Sequence, residues 1–307
     1  MRIVLLNYVK YTLVNQPTIT PMSKQIQTMS ELKDCFFEML TVFDEYCSVN
    51  GIEYWLWAGT LLGAVRDKDF IPWDDDIDVI MKRESYEKLK RCLQESTPEG
   101  FRFYIPGGGS FYDFTSEFSS TEYRVKKTRS ERYSSEDDSM VCPELDIFVL
   151  DRCGDTRQHR IKIARLFILY GLARGHRVFY KPVDLRKGHR FPDSWVKAGA
   201  RILEKIGAHM DLEKIIRKYD KVSISKERKQ DSLFISNDQI WCLSRLYSDY
   251  QFEGKKEYAT IRGRSFPIPS DYDKCLRDNY GDYHQYPPEH LRHPYHYAVS
   301  YEPSNEE

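Results

Sequence analysis

Residues 59–81 read GTLLGAVRDKDFIPWDDDIDVIM, and the placement of acids in this stretch decides how the rest of the chain is read. Asp74, Asp76 and Asp78 occupy alternate positions, so in an extended backbone they point to one face. Ile77, Val79 and Ile80 surround the last two, which embeds Asp76 and Asp78 in what should be a core-forming strand. Carboxylates two positions apart lie about 7 Å from each other at the extended rise of roughly 3.3 Å per residue, and they repel. Burial worsens that repulsion unless a cation sits between them. A hard, oxygen-seeking ion such as Mg²⁺ (or Mn²⁺) answers the need, since it takes one or two carboxylates plus phosphate oxygens.

A second apolar segment, Glu144–Phe148 (ELDIF), offers a further acid. Asp146, flanked by Leu145 and Ile147, should point to the opposite face from both. If this strand lies beside Ile77–Met81, then Asp76, Asp78 and Asp146 converge on one ion. Asp74 and Asp75 also suit a turn or a helix cap after Pro72-Trp73; acids inside apolar strands are harder to explain that way. Upstream, Gly59-Thr60 and Gly63 follow a predicted strand. Glycine there permits close backbone approach to a phosphate and Thr60 offers a hydroxyl, although GTLLG is also an ordinary strand-to-helix turn. Arg66 and Lys68 are candidate phosphate clamps, with a solvated helix face as the alternative. No GxxxxGK[ST] loop or GxGxxG fingerprint is present, so P-loop and Rossmann nucleotide sites are unsupported.

Working outward, Leu32, Cys35, Phe36, Met39, Phe43 and Tyr46 give residues 30–49 the spacing of an amphipathic helix, with Ser30 as N-cap and Asn50-Gly51 as the stop. Ile52–Ala58, Ile77–Met81, Phe101–Ile105 and Leu145–Leu150 read as strands, Glu122–Lys127 as a weaker one, Ser85–Leu93 as a helix and Gly107–Gly109 as a turn. Beyond residue 155 the texture becomes helical over Ile161–Tyr180, Trp195–Ile206 and Leu212–Val222, and a Pro/Tyr/His-rich segment, Phe266–Tyr297, reads as irregular chain. The expected fold class is α/β in the α+β sense: a mixed sheet flanked by helices, with a helical C-terminal half. The expected divisions are an irregular arm (1–29), a catalytic core (30–155), and a helical region (156–307) whose last segment packs back on the core.

Composition bounds the function. Lys plus Arg total 46 against 47 for Asp plus Glu, a formal charge of −1 that argues against a globally basic nucleic-acid binder. Seven cysteines, scattered singly with no CxxC pair, fit reduced thiols in a cytoplasmic protein. The apolar run Ile3–Leu6 is too short for a signal and lacks a cleavage site, so the arm is expected to lie upstream of a later natural start at Met22 or Met29. No stretch approaches about twenty uncharged apolar residues. Residues 152–190 hold eleven Lys/Arg against Asp155 and Asp184. Such a segment can lie on an anionic membrane surface, meet a polyanionic glycan, or form a solvated face balanced by acids elsewhere. His284, His290, His293 and His296 match no standard metal spacing, and a histidine of this group touching substrate is preferred to zinc. Tyr54, Trp55 and Trp57 read mainly as core, and Cys142 and Cys153 as inert buried thiols.

The stretch resembles the signature of the LicD family of phosphotransferases, close to GTLLGxxR…IPWDDDID. Here it runs from Gly59-Thr60-Leu61-Leu62-Gly63-Ala64-Val65-Arg66 to Ile71-Pro72-Trp73-Asp74-Asp75-Asp76-Ile77-Asp78. Asp146-Ile147-Phe148 matches the family's downstream acidic strand, and Phe266-Pro267-Ile268-Pro269 with Tyr280-Gly281-Asp282-Tyr283 resembles its C-terminal segment. The departures are Asp67 and Asp69 where members often carry His and Gly, Ala58 for a frequent Gly, and Val149 for a frequent Pro. The extra acids weaken the case for Lys68 on phosphate.

The resemblance implies a nucleotidyltransferase-like fold with Gly59-Thr60 at the phosphate-approach turn and Asp76, Asp78 and Asp146 as catalytic metal ligands. It implies transfer of a phosphoryl-linked group, phosphocholine or a polyol phosphate, from a CDP-activated donor to a hydroxyl of a cell-surface glycan or its lipid-linked precursor. Asp74 and Asp75 are expected in supporting or acceptor contacts. Arg66, Arg124 and Lys126 are expected to clamp the diphosphate, Arg124 and Lys126 sharing strand parity. Work at the inner face of the cell membrane, with peripheral contact to anionic lipid, fits this picture. The alternatives are a nucleotidyltransferase moving a nucleoside monophosphate from a triphosphate onto a small acceptor, and a non-catalytic glycan-binding protein.

Overall fold

The computed structural model describes residues 23–107, 111, 113–128, 140–153, 156–177, 193–224, 232–238 and 242–301. The N-terminal arm through Met22, the Gly108-Gly109 end of the expected turn, and residues 154–155 and 178–190 of the basic segment lie outside this set.

Residues 24–28, expected in an irregular arm, are part of the fold. Strand β1 (Lys24–Ile26) leads into helix α1 (Met29–Val49) through a capping box. The Thr28 hydroxyl accepts from the Glu31 N–H at 3.2 Å, and the Glu31 carboxylate accepts from the Thr28 N–H at 3.0 Å. Thr28, not Ser30, is therefore the cap. The helix stops at Asn50, and Gly51 follows at φ 58°, a conformation free of Cβ strain in glycine. Leu32, Phe36, Met39, Leu40 and Phe43 form its fully buried stripe.

Strand β2 (Trp55–Leu56) is shorter than its aromatic run suggests, because the chain turns at Trp57 into helix α2 (Ala58–Arg66). Next come β3 (Asp78–Lys82), α3 (Arg83–Glu95), β4 (Phe101–Tyr104), β5 (Ser116–Ser120), β6 (Tyr123–Lys126), β7 (Met140–Val141) and the long β8 (Glu144–Arg152). The central sheet runs β2-β3-β8-β5-β4, with β3 and β8 parallel and the other neighbours antiparallel. Strands β1, β6 and β7 make a separate small sheet. A bidentate pair between Arg83 and the buried Asp151, at 3.0 and 2.6 Å, ties the start of α3 to β8.

Helices α4 (Thr156–Ala173), α5 (Asp193–Gly207) and α6 (Leu212–Ser223) follow. Their inner faces close a second core over Phe111, Phe114 and Phe234. Close approach of α4 and α5 requires glycine: a Cβ on Gly207 would stand 1.9 Å from the Leu172 carbonyl oxygen.

The C-terminal half is not helical throughout. Strand β9 (Leu233–Ile235) joins the central sheet against the end of β8. A short helix, α7 (Tyr250–Glu253), precedes the hairpin of β10 (Glu257–Ile261) and β11 (Arg264–Ile268), and α8 (Tyr272–Tyr280) follows. The hairpin turns on Arg262 and Gly263, both at positive φ (51° and 80°), the geometry whose twist matches paired strands. The expected irregular segment thus begins inside a strand and a helix. The architecture is mixed α+β.

Candidate active site

The parallel pairing of β3 with β8 sets Asp78 directly beside Asp146. On the other side of β8, Glu117 of β5 is the partner of Asp146. Residues paired across a sheet point to the same face, so Asp78, Asp146 and Glu117 form one rank of carboxylates on three adjacent strands, roughly 4.8 Å from strand to strand. Asp76 and Glu144 lie two residues before Asp78 and Asp146 and extend that face. In β8 the alternation is clear: Leu145, Ile147 and Val149 are buried in the core, while Glu144 and Asp146 on the opposite face are partly accessible. Asp146 does turn away from both apolar neighbours, as its spacing requires.

Helix α2 holds this rank in place from one side. The buried Thr60 hydroxyl accepts the Asp78 backbone N–H at 2.8 Å, and the Trp57 N–H donates to the Asp78 carbonyl at 3.0 Å. Asp74 lies against Gly59, where a Cβ would stand 2.1 Å from Asp74 Oδ2. Beneath the loop, the buried Lys33 ammonium donates to the Ile71 carbonyl at 2.5 Å, and burial lowers it to about 8.

The C-terminal segment covers the opposite side. Asp75 is buried and accepts three backbone N–H groups, from Tyr295 (3.1 Å), His296 (2.7 Å) and Tyr297 (2.7 Å). The segment continues along β6, with Ala298 N–H on the Lys126 carbonyl (2.7 Å) and Thr128 N–H on the His296 carbonyl (2.8 Å). This latch brings His296 Nε2 to 3.5 Å from Asp76 Oδ2. Lys127 reaches Glu144 at 3.6 Å.

The electrostatics show carboxylates crowded beyond what nearby cations offset. Burial, followed by Asp76 and Asp146, pushes the Asp78 carboxyl well above the ordinary range. Asp146 is pushed up to about 7 by burial, then by Glu144 and Asp76, with His296 and Lys127 pulling the other way. Burial and then Asp76 raise Asp74, and burial and then Glu144 raise Glu117. Asp76 is held low, because His296 and the Asp74 hydrogen bond outweigh its burial. Its side chain keeps 37% exposure, so the rank is reachable from solvent there.

Of the residues singled out from sequence, Asp74, Asp76, Asp78, Asp146, Gly59 and Thr60 come together here. Several others do not serve as expected. Gly63 is buried against the chain's own backbone, a Cβ there lying 2.5 Å from the Asp69 carbonyl oxygen, so it approaches a loop and not a ligand. Arg66 is committed to Asp67 by two 2.9 Å bonds and lies 4.2 Å over the Tyr286 ring. Arg124 donates to the Thr121 and Tyr123 carbonyls and to Cys142 Sγ, and Lys126 is exposed. The reason is parity: Val125 faces the core, and Lys127, two residues on, faces the acids. Asp75 is an anchor for the C-terminal segment and contacts no open space. Lys127, Glu117 and Tyr297 were missed, while His296 is the member of the histidine group that reaches the site; His284, His290 and His293 are exposed.

Among the described residues, no group of three or more His, Cys, Asp or Glu side chains converges tightly enough to enclose a metal ion by itself. The donor set nevertheless suits a hard divalent cation. It is all carboxylate oxygen, it is under-compensated, and Mg²⁺ characteristically draws its remaining ligands from phosphate and water.

Residues 51–148, from the end of α1 through the Asp146 strand, match the family model described as LicD/FKTN/FKRP, nucleotidyltransferase domain. Over this segment the chain is similar to the LicD family. It is 26% identical over 283 residues to the lipopolysaccharide cholinephosphotransferase LicD of Haemophilus influenzae, covering 89% of this chain and 98% of that protein. Shorter matches, 35% identical over 66 and 65 residues, link it to uncharacterized proteins of Rickettsia typhi and Rickettsia prowazekii. These shorter matches span 22% and 21% of this chain, and 21% and 24% of the two proteins. Among the described residues, no helix is long and apolar enough to cross a membrane.

Proposed function

We propose that this chain is a phosphotransferase that moves phosphocholine, or a related polyol phosphate, from a CDP-activated donor to a hydroxyl of lipopolysaccharide or a lipid-linked glycan. The observation that carries the reading is the in-register pairing of Asp78 with Asp146 inside the family's own motif. The near full-length similarity to a cholinephosphotransferase supports the choice of transferred group.

In this reaction the acceptor oxygen attacks the phosphorus that bears choline, the bond from that phosphorus to the bridging oxygen breaks, and cytidine monophosphate leaves with the bond's electron pair. Such transfers need positioning and charge neutralisation more than covalent chemistry from the protein. Asp76, Asp78 and Asp146 are the residues that would hold Mg²⁺ or Mn²⁺. When bound, the cation supplies neutralisation of the donor diphosphate and of the leaving group. Asp146 also orients the acceptor hydroxyl and helps remove its proton. Thr60 fixes Asp78 through its backbone, Asp74 shares a hydrogen bond with Asp76, and His296 and Lys127 supply positive charge beside the acids.

The test is release of cytidine monophosphate from CDP-choline with an acceptor glycan, with and without Mg²⁺. Asp78→Asn and Asp146→Asn should each lower turnover by at least about 10³-fold with unchanged far-ultraviolet circular dichroism. Pyrophosphate release from a nucleoside triphosphate, with no cytidine monophosphate from any CDP donor, would instead establish nucleotidyl transfer.

A further inference from the structure

The outer faces of α4 and α5 carry a second feature, remote from the acids in sequence and opposite to them in charge. Helix α4 contains no Asp or Glu. Arg157, Arg160 and Arg165 are exposed on it, and Lys197, Arg201 and Lys205 are exposed on α5. Of the α5 acids whose side chains are described, Glu204 is turned inward to Arg174. Four isoleucines stand between these cations with about half their surface in water: Ile161 (46%) and Ile168 (50%) on α4, Ile202 (59%) and Ile206 (51%) on α5. The two helices touch beside these rows: Leu203, adjacent to Ile202, packs on Gly171, one turn beyond Ile168.

We infer that this two-helix face docks on an anionic lipid bilayer surface. Two arguments select that occupant. Isoleucines spaced at one helical face and flanked by Arg and Lys suit the boundary between headgroups and acyl chains, where aliphatic side chains enter the apolar layer and cations meet anionic headgroups. A soluble polyanion would use the cations and leave the four isoleucines in water. A second copy of the chain would oppose like charge to like charge across a two-fold contact, which is costly. The whole chain is close to neutral at −1, so this concentration of positive charge is a property of the face and not of the composition.

The experiment is co-sedimentation of the full chain with vesicles of phosphatidylglycerol and phosphatidylcholine against vesicles of phosphatidylcholine alone. No donor or acceptor is present, so the result is independent of the transfer reaction. Binding is expected on the anionic vesicles only, weakening as salt is raised. Arg201→Ala with Lys205→Ala should lower the partition coefficient about 30-fold, at about 1 kcal/mol for each cation at the surface. Ile202→Ser with Ile206→Ser should lower it about tenfold or more even at low salt, the equivalent of half-burying two isoleucines. Ile161→Ser with Ile168→Ser serves as the second variant should the α5 pair fail to fold, with the thermal midpoint as the control. Absence of binding to anionic vesicles at low salt overturns the inference. So does binding unaffected by both isoleucine variants, which would assign the face to a soluble polyanion. A concentration-dependent dimer in velocity sedimentation that Ile202→Ser abolishes also overturns it.

Discussion

Asp75→Asn tests whether the C-terminal segment is held over the acids by one buried carboxylate. In the native chain Oδ2 accepts the His296 and Tyr297 N–H groups at 2.7 Å each, and Oδ1 accepts that of Tyr295 at 3.1 Å. Asparagine keeps one oxygen, which in the better orientation remains under His296 and Tyr297. Those two bonds fall from charge-assisted to neutral strength, a loss of about 1 kcal/mol each. The amide NH₂ then faces the Tyr295 N–H, donor against donor, at about 2 kcal/mol for a buried unsatisfied group. Against this, the neutral amide escapes the burial that pushes the Asp75 carboxyl up, and relieves repulsion on Asp74, together about 1 to 2 kcal/mol at an effective dielectric constant near 20. The hydrogen-bond loss is larger, leaving a net cost of about 2 to 3 kcal/mol, or roughly 30- to 150-fold in the opening equilibrium. Hydrogen exchange read at the amides of residues 295–298 should accelerate by that factor, while amides in the middle of β8 keep their protection. Unchanged exchange at 295–298, or equal loss of protection in β8, would refute the latch and make Asp75 an ordinary contributor to global stability.

Four further outcomes rest on the same geometry. Carboxyls raised in the fold bind protons that the unfolded chain has already released, so the stability contributed by Asp146 is full below about pH 4 and is lost as pH rises through its value of about 7. Metal-free protein should therefore melt at a lower temperature at pH 8 than at pH 5.5, with Asp146→Asn reducing the difference. Thr60→Val should cost about 1 to 3 kcal/mol in urea unfolding by orphaning the buried Asp78 N–H, whereas Thr60→Ser, which keeps the acceptor, should cost less. Gly63→Ala should lose about 1 to 3 kcal/mol or more, because its Cβ meets Asp69 and Ile71 backbone at 2.5 and 2.8 Å. Gly59→Ala meets only the movable Asp74 carboxylate, so it should lower turnover more than stability.

What the sequence made legible was whatever local periodicity encodes. The α1 stripe, the Asp146 alternation in β8 and the apolar walls around Asp78 all follow from one residue's neighbours. The acids could be found because charge inside an apolar strand is costly and so needs a reason. Three kinds of information were not local. Glu117 sits in SEFSS, a strand polar enough to look like a loop, and only pairing with β8 places it beside Asp146. Lys127 was passed over for Arg124 and Lys126 because the facing of β6 is fixed by Val125 in the core. Gly63 and Arg66 look functional in the motif, yet their partners, the 69–71 backbone and Asp67, are supplied by how the loop folds back. The 257–268 hairpin hid because Arg262-Gly263 lacks the usual Asn-Gly or Asp-Gly signal.

The balance of charge at the rank also limits how any phosphorylated donor can approach. On the proposed function, a donor diphosphate would bring negative charge to a face where Asp78 and Asp146 are already raised by burial and their neighbours. The arginines expected to meet it are committed elsewhere, Arg66 to Asp67 and Arg124 to carbonyls and a thiol. Of the cations acting on Asp146, His296 is in contact with Asp76 and Lys127 is drawn to Glu144. Two such partners do not offset four or five carboxylates together with a diphosphate. On the proposed function, a diphosphate donor would need further positive charge to arrive with it, so a divalent ion and the donor should bind cooperatively. The coupling is reciprocal: the donor should raise the affinity for Mg²⁺ by the same factor by which Mg²⁺ raises affinity for the donor. Calorimetry on both legs of the cycle measures that factor, and equal donor affinity with chelator and with Mg²⁺ would mean that the acids serve another purpose.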